Sequence, residues 1–450
     1  MLARSILSVL VLLIGTGPER PATESAAALQ PFLYTVANTY EPLAWMHGSD
    51  RFPSSAMIFV RDEKGEHALV HNFASSADPA VSFDGLRVLF AGKAHAQDPW
   101  QIWEITLAGG PPRRVSAGNE DCVRPLYLPD DFAVYACKKS GMFAVQVSPL
   151  AGGKPLALTY GPANFLPSDV LRDGRILFQA GYPLGTEAIP ELYTVYSDGS
   201  GVESYRCDHG SARHSGRQSS SGDIVFASAR GLTRFTSARA QQLPIAAPAG
   251  NYAGDVVETA SGEWLLAWRP DTKSHFRIMR WSVGTKELEP VLEDANASVL
   301  QPTIIASRAV PNRHPSGLHD WNNANLLCLN AYTSKYAFAP SSIRSVRMYT
   351  RDSAGSPKLL GTAPVEKDGS FFVQVPTEQP IQVELLDAAG KSLKREAGFF
   401  YMRRGEQRAC VGCHAGPETA PENAVPQILL KSTTPADMTG ALQSAKGGLD

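Results

Sequence analysis

Asp78-Pro-Ala-Val-Ser-Phe-Asp-Gly-Leu-Arg-Val-Leu-Phe90 decides the fold. It reads as a strand, a tight turn at Phe83-Asp84-Gly85, and a second strand through Val88, Leu89 and Phe90. Asp-Gly is the dipeptide that a short hairpin connection selects. The unit returns at 125–135 around Asp130-Asp131, and at 167–178 around Asp173-Gly174. Shorter copies stand at 221–226 and 261–266. Anchored on Gly85, Asp131, Gly174, Gly222 and Gly262, the spacings are 46, 43, 48 and 40 residues. Each unit runs on to a third strand, as at 102–110, 143–153, 192–199 and 276–281. Short alternating strands joined by tight turns at this period are the pattern of propeller blades. No 3.6-residue apolar period lies between the anchors, which argues against a parallel α/β sheet.

Five blades are legible directly. Residues 57–62 and 68–71 read as outer strands with no inner strand before them, and 299–305 as an inner strand with no blade behind it. Joined, they close a sixth blade from both ends of the array and remove its open edges. A sandwich of regular hairpins is the alternative, but sandwiches rarely repeat one turn signature five times. The signature resembles that of the TolB-like six-bladed propellers, which implies the same wheel. A Pro- and Gly-punctuated linker follows at 309–317. Alternation then returns at 366–375 and 381–390, where Val373, Val375, Val383 and Leu385 share one face by period 2. The expected fold is all-β: a six-bladed β-propeller over 29–308, a small antiparallel β-sandwich over 309–400, and an irregular C-terminal segment over 401–450.

Composition agrees. The 450 residues include 38 glycines and 33 prolines, a turn-rich proportion. Forty-two basic and 44 acidic residues leave a net charge of −2. That carries no electrostatic footprint for nucleic acid or an anionic membrane. At the N-terminus, Arg4 precedes an apolar run over 5–15, too short for an ordinary span. Residues 1–28 are expected to be a signal peptide, with an uncleaved anchor as the alternative. No later segment reaches membrane-spanning length, so the chain is expected to be periplasmic or otherwise exported.

Six cysteines are present, and Cys410-Val-Gly-Cys413-His414 carries the chemistry. Cys-x-x-Cys-His is the attachment motif of c-type haem. Each thiol adds across one vinyl group of the porphyrin, and the next histidine reaches the iron from the same side. At this chain's own Cys and His frequencies such a motif arises by chance about 0.002 times. Gly412 is expected to let the porphyrin edge approach the backbone. The competing readings are weaker. A redox Cys-x-x-Cys would open a helix, whereas 415–423 is rich in Pro and Gly. A structural zinc site would need a second Cys/His pair nearby in sequence. A disulfide between Cys410 and Cys413 is a strained alternative. His314, His319, Met402 and Met438 are candidates for the far side of the iron. A second cluster, Cys207-Asp-His209 with His214, is a candidate zinc or haem-facing group, weighed against a disulfide cysteine among polar loop residues. Cys122 and Cys137 fall on neighbouring strands of one blade and could pair, which would leave Cys328 for Cys207; four cysteines allow three pairings.

The order of propeller, linker, Leu326-Leu-Cys-Leu-Asn330, Val365-Glu-Lys-Asp-Gly-Ser-Phe371 and Arg404-Gly-Glu-Gln-Arg-Ala-Cys-Val-Gly-Cys-His414 resembles the hydrazine synthase alpha-subunit-like family. The specific part runs from about Pro311 to Pro426. The resemblance implies a propeller supporting a haem-c-bearing domain in the periplasm, with Cys410 and Cys413 as thioether positions. In the family's synthase a tyrosine shortly after the motif ligates the iron, and the motif histidine can turn to a zinc ion. Here 415–450 holds no Tyr, and Glu418 stands four residues after His414. That departure leaves His414 as the expected axial ligand and hydrazine synthesis outside what the resemblance implies. The expected function is electron transfer by an exported monohaem cytochrome c, its partner a redox protein or a small molecule. The alternatives are a haem oxidoreductase acting on a small nitrogen or oxygen species, and a propeller scaffold with structural haem.

Overall fold

The computed structural model describes residues 30–184, 187–206, 210–238, 240–351, 356–396, 398–413 and 423–440. The expected signal segment, Cys207, His209 and His414 lie outside them. Among the described residues the only helices are a 3-10 turn at Ala44–His47 and one turn at Gln427–Lys431, and no helix is long and apolar enough to cross a membrane.

Six antiparallel sheets form the propeller. Blades II to V each take four consecutive strands. Their inner strands are Ser75–Val81, Cys122–Leu128, Asn164–Val170 and Arg213–Gln218. In blade VI the inner position is shared by Asn251–Tyr252 and Val257–Glu258, both paired to Trp264–Arg269. Blade I closes the ring. Its inner strand, Ser298–Ile304, pairs with Phe32–Ala37, which pairs in turn with Ala56–Asp62 and then Gly65–Ala68. Closure from both ends is as expected, with Phe32–Ala37 as an added strand. Every residue of the inner strands of blades II and III is buried, because neighbouring blades cover both faces. The Asp-Gly turns also serve the linker. A Cβ at Gly174 (φ 88°) would overlap the Asn312 carbonyl, and one at Gly85 (φ 78°) would meet Ala306, so both turns abut the chain leaving the ring.

Cys122 and Cys137 are register partners on adjacent strands of blade III and form a disulfide. A Cα separation of 4.1 Å fits the close pair of an antiparallel ladder.

Two four-stranded sheets form the sandwich. One has the order Pro357–Pro364, Ser345–Arg351, Gln382–Leu386, Ser392–Arg395. The other centres on Asn323–Cys328 and Phe371–Pro376. Burial alternates along Asn323–Cys328, Ser345–Arg351 and Phe371–Pro376. Val373, Val375 and Leu385 face the shared core, at no more than 1% exposed. The tail is not wholly irregular. Gln407–Cys410 and Ala436–Asp437 form the edges of the second sheet, both paired in parallel. Short polar strands like these take their register from a distant partner, not from their own pattern.

The sandwich plugs into the wheel between blades III and IV. The fully buried Tyr401 ring lies 5.6 Å from Tyr160 and 6.4 Å from Phe165, edge-on to both. Arg403 donates to the Asp198 carbonyl (3.1 Å) and the Tyr160 hydroxyl (2.7 Å), and pairs with Glu378 at 2.6 Å.

Candidate functional site

Glu406 fixes the start of the motif strand. Its carboxylate accepts from the Gly201 N–H of blade IV (3.1 Å) and the Arg403 N–H (2.8 Å), and pairs with Arg408 at 2.6 Å. Gln407–Cys410 then runs parallel to Asn323–Cys328, with Asn325 opposite Gln407 and Cys328 opposite Cys410. The Leu329 N–H donates to the Cys410 carbonyl at 2.9 Å. Cys328 is buried in the sandwich core, and Cys410 and Cys413 pack against that same core. All three are free thiols. The sequence reading left Cys328 for Cys207 as one of three open pairings; the fold sets Cys328, as a free thiol, beside Cys410.

None of these thiols is activated. Burial pushes Cys328 well above its ordinary value, and the neighbouring Cys410 and Cys413 add to it. Burial raises Cys410 against the opposing charge of Arg408, and Glu203 of blade IV adds to the rise. Burial pushes Cys413 to about 12, reinforced by Glu396 and opposed by Lys394. A dithiol oxidoreductase needs a thiol poised near ambient pH, and burial moves these three thiols the other way. Gly412 serves a different close approach from the one expected: a Cβ there would overlap the Thr333 carbonyl and press on that of Asn330. The glycine locks the motif onto the loop that follows Cys328.

The candidate distal ligands disperse. Met402 and Met438 are buried in the sandwich core, His314 stacks on Tyr196 at 3.9 Å, and His319 stacks on Trp321 at 4.8 Å. Glu203 belongs to the outer strand of blade IV, Glu203–Ser204, which leads toward Cys207. Among the described residues no cluster of three or more His, Cys, Asp or Glu side chains is arranged to hold a metal ion.

Residues 333–415 match the hydrazine synthase alpha subunit middle domain family. The Kuenenia stuttgartiensis hydrazine synthase structure shares the fold, with a TM-score of 0.76 at 15% identity, over 90% of this chain and 72% of that one. The segment 333–415 is thus hydrazine synthase alpha-like, and the chain as a whole shares that synthase's fold. TolB from Acinetobacter baumannii matches with a TM-score of 0.44 at 13% identity, over 61% of this chain and 66% of that one. No curated protein matches the chain in sequence. The matched middle domain spans the sandwich from just after Cys328 to just past the motif.

A second arrangement occupies the axis of the wheel. Five inner strands are interrupted by a bulge, a device that re-aims side chains, and that of blade VI by the gap between its two short strands. Asp78, Arg124, Ser168, Ser215 and Gln301 stand at the bulges and Asp255 in the gap, one per blade. Five of them take φ between 53° and 57°. Their side chains tie the ring together. Arg124 of blade III donates to both oxygens of Asp255 on the opposite blade VI, at 2.7 Å each. Asp78 binds Arg51 (2.5 Å) and Gln301 (2.5 Å), and accepts from the Arg124 N–H (3.0 Å). Burial alone would raise the Asp255 carboxyl, but Arg124 and Arg217 hold it well below the usual carboxylate range. The sequence carries a signal for this ring that the reading passed over: Asp78-Pro, Arg124-Pro and Gln301-Pro set a polar residue before proline at one point of three inner strands. A cavity of about 1020 Å³ opens on the linker side of the Arg124–Asp255 pair, with Asp169, Arg217, Asp255 and Arg308 among its lining residues. Neither Cys410 nor Cys413 lines it.

His214, beside this network, bonds the Ser215 hydroxyl at 3.2 Å. Burial lowers it to about 4; Asp255 opposes the shift and Arg124 reinforces it. The unfolded chain therefore takes up this proton first, near pH 6.5, and stability falls as pH drops from there toward 4. The expected loss between pH 7 and pH 5 is about 2 kcal/mol. Urea titrations of the His214→Gln variant should lack this component; an equal slope in variant and parent would refute the assignment.

Proposed function

We propose that this chain is an exported single-haem c-type protein that passes electrons, its porphyrin bonded to Cys410 and Cys413 and its iron bound by His414. One observation carries the reading. The two motif cysteines are free, uncharged thiols packed against an apolar core, at the end of a strand anchored to both sandwich and propeller. Neutral, unpaired thiols on a fixed backbone are what thioether formation requires, and the donor set fits haem c. The match of 333–415 to the hydrazine synthase alpha subunit middle domain supports the same reading. A bound haem c supplies a one-electron iron centre.

The residues of this chain do the rest. The parallel pairing with Asn323–Cys328 and the Gly412 contact fix the motif backbone. The sandwich core behind Cys410 and Cys413 keeps water from one side of the thiols. Tyr401 and Arg403 hold this unit against the wheel, and the wheel gives a broad surface for a redox partner. The separation of the axial cavity from the motif cysteines favours a carrier over an enzyme in which substrate meets haem within the propeller.

The chain made in a host with haem-attachment machinery should show the mass of one covalent haem and a c-type pyridine haemochrome spectrum. Cys410→Ala with Cys413→Ala should lose covalent haem completely. An apoprotein mass in the parent would end the proposal. A spectrum inert to carbon monoxide supports the carrier; rapid binding would turn the reading to a haem oxidoreductase.

A further inference from the structure

The third thiol of the site is unused by the proposed haem chemistry. Cys328 and Cys410 are register partners on adjacent strands, and both side chains meet the same core. Neighbouring strands lie about 4.8 Å apart, within the range of roughly 4.4–6.8 Å that a disulfide needs between its Cα atoms. The molecule already bonds one pair of register partners, Cys122 and Cys137, there on antiparallel strands and here on parallel ones.

The pair competes with Cys410–Cys413. Cys413 lies beyond the end of the strand, and Gly412 between them is wedged against the Asn330–Thr333 loop. Swinging Cys413 toward Cys410 must move that wedge, whereas Cys328 and Cys410 already stand side by side as register partners. The Cys328–Cys410 bond also closes a far longer loop and so restrains the unfolded chain more.

We infer that oxidation of the haem-free chain joins the free thiols of Cys328 and Cys410 in a disulfide that closes the attachment motif until a dithiol opens it. In forming, the two thiols are oxidised to one S–S bond, and a disulfide donor such as oxidised glutathione is reduced to two thiols. In opening, a dithiol attacks the sulfur of Cys410, the less buried residue of the two, and Cys328 leaves as its thiol; the second thiol of the reagent then displaces Cys410, and the dithiol becomes a disulfide. The bond stands on geometry alone; its regulatory meaning rests on the haem reading.

The test uses the full chain made without attachment machinery, folded in a glutathione redox buffer and alkylated without reduction. Trypsin places Cys328 in peptide 314–335, Cys410 with Cys413 in 409–431, and Cys207 in 207–213. A cross-link between 314–335 and 409–431 is expected, released by dithiothreitol, retained in Cys413→Ser and lost in Cys410→Ser. A bond within 409–431, a link from 314–335 to 207–213, or four alkylated thiols beside an intact Cys122–Cys137 bond would each overturn it. With attachment machinery present, dithiol should raise covalent haem several-fold in the parent and leave Cys328→Ser, already loaded, unchanged. Equal dependence on dithiol in both would overturn the regulatory part. A cross-link present with no covalent haem in either chain would sustain the disulfide and sink the haem reading.

Discussion

Asp255→Ala should lose about 3–5 kcal/mol of stability, because truncating one partner strands the other as a buried, uncompensated charge. Arg124 is 5% exposed and gives two hydrogen bonds to the lost carboxylate. Arg217, 3.3 Å from the same group, loses an anchor as well. The pair joins opposite blades across the axis, so the loss acts on the whole ring. The urea midpoint should fall sharply without a change of slope. Replacing both partners, as Arg124→Met with Asp255→Leu, should restore most of the loss, since an apolar pair of similar volume carries no desolvation penalty. A single variant as stable as its parent, or a double variant worse than the single, would show that the contact does not hold the axis. Acid has the same sign. The depressed carboxyl of Asp255 contributes stability above the ordinary carboxylate value, near pH 4, and that contribution fades as pH falls below it.

The other large effect concerns the joint between wheel and sandwich. Tyr401→Ala removes a fully buried ring from between Tyr160 and Phe165, and large-to-small changes of this kind cost about 3–5 kcal/mol. Tyr401 belongs to the propeller core cluster while its neighbour Met402 belongs to the sandwich core. The variant should therefore loosen the docking of two folded parts before it unfolds either. Limited proteolysis should cut the 309–317 linker faster, ahead of any loss of the β-sheet circular dichroism signal. Unchanged cleavage would mean that the contacts of Arg403 suffice to hold the joint.

What the sequence revealed was local. Asp-Gly turns and period-2 alternation lie within a dozen residues of each other, so blades II to VI and the sandwich faces of Val373 and Leu385 could be read directly. The closure of blade I was legible because unmatched strands at the two ends advertise a missing partner. Gln407–Cys410 was not legible: four residues opening on adjacent Gln407 and Arg408 carry no apolar stripe, and their place comes from Asn323–Cys328, far back in the chain. The same distance hid the meeting of Cys328 with Cys410. The axial ring escaped for another reason. A polar residue before proline in a strand reads as a break, and only its return in three inner strands shows it to be a bulge aimed inward.

The strand that completes blade I arrives last. Phe32–Ala37 waits more than 250 residues for Ser298–Ile304. During synthesis the nascent wheel stays open at its seam, with an apolar rim bared to any chaperone, protease or sister molecule it meets. Stops upstream of residue 298 should thus release a sticky arc, not a smaller working wheel, and the attachment motif, later still, emerges only after that seam can shut.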